Sequence, residues 1–85
     1  MEFCVGQMVR SKAGRDNGTA YVVIRTDGDY IYVANGASRK LDNPKKKKIK
    51  HIEGSYNVSR EIADMVAAGT AEDYVIRRFL KLIKE

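Results

Sequence analysis

The chain has no tryptophan and only one cysteine, one proline and one histidine in 85 residues. Each scarcity excludes something. One cysteine cannot close an intramolecular disulfide, and without a Cys or His pair at ligand spacing there is no zinc motif. Cys4 is expected as a small apolar strand residue, the usual behaviour of a free cysteine. His51 has no nucleophile or acid placed for it, and neither paired carboxylates nor a P-loop pattern is present, so neither catalysis nor a cofactor is expected. No apolar run approaches the roughly 20 residues that span a bilayer. The start, Met1-Glu2-Phe3, lacks the basic and apolar regions of a secretory signal. These absences set the expectation of a cytoplasmic protein with no membrane association.

Positive charge is plentiful and unevenly placed. The net charge is +5, with 16 Lys and Arg against 11 Asp and Glu. From Arg10 to His51 there are eleven cations and four aspartates, whereas Ile52 to Glu85 is nearly neutral. The segment Arg39 to Lys50 holds seven cations and one anion, with four lysines in a row at Lys45 to Lys48. A block of like charge must be solvated or matched by an anionic partner. Because strand-like sequence flanks this one on both sides, it is not a loose tail, and a polyanion, RNA first, is the expected match.

Short apolar runs separated by turn signals organise the first fifty residues. Val5 to Ser11 reads as a strand, Tyr21 to Ile24 as a second and Tyr30 to Ala34 as a third. Asp27-Gly28 and Asn35-Gly36 are hairpin signals. A short strand is expected near Arg39 to Leu41, and a fifth over Lys47 to Ile52. Five such strands joined by tight turns suggest a small barrel closed on itself. After Glu53-Gly54-Ser55 the period changes. Ser59 is a candidate N-cap for a helix bearing Ile62, Met65 and Val66 on one face, and Gly69 stops it. A second helix starts at Thr70, with Asp73 able to complete a capping box. Its apolar stripe is Val75, Ile76, Phe79, Leu80 and Ile83, and Arg77, Arg78, Lys81 and Lys84 cover the remainder.

The segment Gly6 to Gly18, running into the strand Tyr21 to Arg25, resembles a KOW motif, with its glycine-bearing loop of G-x-D-x-G type at Gly14, Asp16 and Gly18. The continuation Val33 to Lys47 is similar to the bacterial KOW-domain RNA-binding proteins related to the fourteen-e group of large-subunit ribosomal proteins. The resemblance covers residues 3–53, and departs from the pattern at Asn17, where Lys or Arg often follows the aspartate. It implies a mainly β fold, a small SH3-like barrel over residues 1–54 with a C-terminal α-helical extension over 55–85. It also implies RNA binding, to ribosomal RNA, as a ribosomal-protein-like factor of translation. The other function it implies is a protein-interaction module docking on a ribosomal or transcription component. Exposure of the Val75, Ile76, Phe79 and Leu80 stripe would favour that second reading.

Three groups of residues are candidates for the site. In the glycine loop, Gly14 lets the backbone approach a phosphate, flanked by Arg10, Lys12 and Arg15. The bland alternative is that the loop only turns the chain and Asp16 only hydrogen-bonds it. Arg39, Lys40, Lys45, Lys46, Lys47, Lys48 and Lys50 form the second group, set against the alternative of lysines guarding an edge strand. The third is Tyr21, Tyr30 and Tyr32, which either stack on bases or pack with their hydroxyls at the rim. Packing is the favoured expectation.

Overall fold

A computed structural model describes residues 2–83 of the chain. Within them, alternating side chains make five strands, β1 (Gln7–Ser11), β2 (Ala20–Asp27), β3 (Tyr30–Ala34), β4 (Lys45–Lys48) and β5 (Ile52–Val58). The helices α1 (Arg60–Ala68) and α2 (Asp73–Leu82) follow. All neighbours are antiparallel, in one sheet of order β4-β3-β2-β1-β5. The outermost strands, β4 and β5, are joined only by the 3-10 turn Ile49–His51. So short a link forces the sheet to curl until its two edges approach at that corner. Among the described residues no ladder joins β4 to β5, so the sheet is open, where a closed barrel was expected.

The two faces of the sheet build two cores. The concave face carries Val9, Tyr21, Val23, Ile31, Val33 and Ile52, with Phe3 and Ile49 packed on them. The other face gives Val22 and Ala34 to a second core with Ile62 of α1 and Val75 and Ile76 of α2. A register shift between Val23 and Arg25 puts Arg25 back on the convex face, opposite Tyr32. Phe79 and Leu80 also pack into the second core. Val75, Ile76, Phe79 and Leu80 of the α2 stripe are therefore packed within the chain, and the helices sit over one end of the convex face only. No helix among the described residues is long and apolar enough to cross a membrane.

Both ends of α1 follow the expected chemistry. The Ser59 hydroxyl accepts the Ile62 N–H at 3.1 Å, and Gly69 ends the helix at φ 74°. The start of α2 differs, because Glu72 holds the cap position without a side-chain bond. Asp73 forms no capping box with Thr70. Its Oδ1 accepts the Leu41 N–H at 2.8 Å instead, and the Thr70 hydroxyl points back to the Met65 carbonyl. Lys84 lies outside the described residues.

The loop 35–43 takes the place of the strand expected near Arg39 to Leu41. Asn35 Oδ1 accepts the N–H groups of Ala37 and Arg39, each at 2.9 Å, and so folds the loop on itself. From α2, Arg77 Nη1 donates to the Gly36 carbonyl at 2.6 Å. Gly36 has φ 76°, and a Cβ there would meet the Asp73 carbonyl oxygen. The lysine segment also differs from expectation. Its strand ends at Lys48, the 3-10 turn follows, and β5 then runs through Gly54 and Ser55, where the helical part was expected to begin. The chain has to cross from one sheet edge to the other there, which a continuous strand over Lys47 to Ile52 could not do. Cys4 is exposed and precedes β1. Its N–H binds Gln7 Oε1 at 3.1 Å in a turn that lets the buried Gln7 side chain also reach the Ser55 carbonyl.

Candidate nucleic-acid interface

Asp16, in the loop between β1 and β2, organises the basic half of the molecule. Its carboxylate accepts from Ser11 Oγ at 2.9 Å, Tyr21 Oη at 2.7 Å, Lys45 Nζ at 3.1 Å and Lys47 Nζ at 3.1 Å. Strand periodicity explains the lysine contacts. β4 pairs with β3 so that Lys45 lies opposite Val33 and Lys47 opposite Ile31. Ile31 and Val33 face the concave core, so these two lysines point the same way and reach the glycine loop. Their ammonium groups end on one aspartate, and the side chain of Lys47 is left only 11% exposed.

Burial opposes ionisation of Asp16, but the hydrogen bonds from Tyr21, Lys45, Ser11 and Lys47 outweigh it and hold the carboxyl well below the usual carboxylate range. The Tyr21 hydroxyl is pushed up to about 12 by burial, then by its bond to Asp16 and that residue's charge, with Arg39 opposing. The two shifts act at opposite ends of the pH scale. With its folded pKa lowered, Asp16 stabilises the fold above the ordinary carboxylate range, and that contribution is lost as pH falls through and below it. With its folded pKa raised, Tyr21 contributes fully below about pH 10, and the contribution is lost as pH rises towards 12. One of the five tyrosines should accordingly give its tyrosinate absorbance near pH 12. That late step should vanish in Tyr21→Phe; persistence in the variant would move the assignment to another ring.

Lys46 and Lys48 point outward, opposite Tyr32 and Tyr30. The Lys46 ammonium sits 4.4 Å from the centre of the Tyr30 ring, and the Arg25 guanidinium 5.1 Å from that of Tyr32. Cations and aromatic rings therefore interleave on the part of the convex face that the helices leave open. Asp27, opposite Tyr30, is the carboxylate of that row.

The expected site residues divide by location. Lys12, Gly14, Arg15, Lys40, Lys46, Lys48 and Lys50 are exposed. The Lys12 N–H binds the His51 carbonyl at 2.9 Å, which brings the entry of the glycine loop beside Lys50. Lys45 and Lys47 are held by Asp16, Arg10 Nη1 donates to the Gly18 carbonyl at 2.9 Å, and Arg39 Nη1 to the Asn43 carbonyl at 3.3 Å. Tyr21 packs with its hydroxyl on Asp16, as expected of a rim tyrosine. Arg25 was not among the candidates, because only the register shift in β2 reveals that it shares a face with Tyr32. A period of two sorts alternate lysines to opposite faces only once β4 is known to span Lys45–Lys48, and the sequence placed the strand at Lys47 to Ile52 instead. No protein-family model matches the chain, and a search of curated proteins finds no match either.

Proposed function

We propose that this chain is a non-catalytic RNA-binding protein of the KOW type, its curled sheet a small SH3-like barrel bearing a helical extension, with ribosomal RNA its partner. The observation that carries this reading is the alternation of β4. The strand uses Lys45 and Lys47 to fix the glycine loop and turns Lys46 and Lys48 out beside Tyr30, Tyr32 and Arg25. Lys12, Arg15 and Lys50 extend the positive surface around the β4 edge. Lysines act as point charges, so the surface supplies affinity more than sequence choice. Docking of a protein partner through the α2 stripe is not favoured, because Val75 and Ile76 are buried and Phe79 and Leu80 are partly buried against the second core.

If the five outward cations Lys12, Arg15, Lys46, Lys48 and Lys50 each neutralise a phosphate, log K should fall with log salt at a slope of roughly −3.5 to −4.5. Lys46→Ala with Lys48→Ala should reduce that slope by about 1.4–1.8 without unfolding the protein. The measurement is a salt titration with ribosomal RNA fragments, with duplex DNA as competitor. Weak binding with no preference for RNA, unchanged in the double variant, would sink the reading.

A further inference from the structure

Beside β4 an open cleft of about 380 Å³ is lined by Asp29, Tyr30, Lys48, Ile49 and Lys50. Its lining combines one aromatic ring, one apolar side chain, two ammonium groups and one carboxylate. We propose that this cleft takes a single unpaired nucleotide, so that the RNA bound here is single-stranded at the point of contact. The proposal rests on the RNA-binding reading and names the form of RNA that fits it.

The chemistry of a nucleotide matches the lining group by group. Tyr30 and Ile49 offer the surface on which a base stacks, and every base has a π-face. Lys48 and Lys50 sit on the cleft for the phosphate. Asp29 can only accept, so it repels phosphate and suits a base amino group or a ribose hydroxyl. The walls are tied together, because the Ile49 N–H binds the Asp29 carbonyl at 2.9 Å and joins the β2–β3 turn to the 3-10 corner. Lys46 covers one face of the Tyr30 ring, so the base takes the other face.

Spacing favours an unstacked strand over the interior of a duplex. Tyr30 and Tyr32 lie on one face of β3, two residues or about 6.6 Å apart along the strand. Bases within a helix follow each other every 3.4 Å or so. Bases resting on the two rings are therefore unstacked from each other. A base paired inside a duplex presents only its edge to a groove and cannot lay its face on either ring; in a duplex only a terminal pair offers a face.

The test compares an unstructured oligouridylate or oligocytidylate of about ten nucleotides with a blunt RNA duplex of the same length. The single strand should bind about tenfold or more tightly than the duplex. Tyr30→Leu, which keeps an apolar side chain but no ring, should lose roughly 5- to 100-fold on the single strand with an unchanged salt slope. Tyr30→Phe should bind like the parent. As a check that needs no variant, the Tyr30 ring resonances should move upfield when the single strand is added. Equal binding of duplex and single strand, or Tyr30 resonances that stay put while Lys46 and Lys48 respond, would overturn the inference and leave the electrostatic reading standing. Failure of both RNAs to bind would remove the RNA-binding reading and this one with it.

Discussion

Replacing Asp16 with alanine is expected to destabilise the protein by about 2–4 kcal/mol, between the value of an exposed ion pair and that of a buried one. The side chain of Asp16 is 14% exposed and that of Lys47 is 11% exposed, so solvent cannot take over the lost contact for Lys47. Tyr21, Lys45 and Lys47 lose their acceptor at once, Ser11 keeps only the Ala13 carbonyl, and two like charges are left side by side. In a domain of this size the melting temperature should fall by roughly 4–8 °C for each kcal/mol. Asp16→Asn should cost less, since the amide oxygen can still accept from Tyr21 or Ser11. The difference between parent and alanine variant should narrow below the ordinary carboxylate range, as Asp16 of the parent takes up its proton. Urea unfolding at neutral and acid pH measures both effects. A change under about 0.5 kcal/mol at neutral pH, the level of an ordinary surface substitution, would mean that Asp16 does not hold the loop to β4.

Gly36→Ala is the second large effect, expected at about 2–4 kcal/mol from two sources. The backbone there has φ 76°, which a Cβ disfavours, and that Cβ would run into the Asp73 carbonyl and stand 3.0 Å from Arg77 Cγ. The first turn of α2 would have to move off the loop, loosening the bonds from Arg77 to Gly36 and from Leu41 to Asp73. Gly28→Ala is the matched control. Its φ is 61° but a Cβ there meets nothing within 4 Å, so it reports backbone strain alone, about 1–2 kcal/mol. Equal denaturation midpoints for the two variants would show that close packing of α2 on the loop contributes nothing. Amide exchange in α2 should speed up in the first variant only.

The strands with plain period-two patterns were legible in the sequence. Tyr30 to Ala34 is a strand with the bounds expected, its tyrosines on one face and Ile31 and Val33 on the other. Ser59 and Gly69 bound α1 because local hydrogen bonding and a left-handed φ are written into those residue types. What failed depended on distant partners. Asp73 looks like a capping residue in isolation, yet the Leu41 N–H, 32 residues away in sequence, takes its carboxylate. Leu41 looks like a strand residue until Asn35 gathers the loop into turns. At the site, a run of identical lysines conceals two roles. No local pattern shows that Asp16, 29 residues before Lys45, draws alternate members inward.

The place of β1 between β2 and β5 has a consequence for incomplete chains. Its partner on one side, β2, is complete at Asp27, but the strand for its other side, β5, ends at Val58. A chain that stops short of β5 therefore displays the bare amide edge of β1 beside Met8 and Val9, open to pairing with another copy.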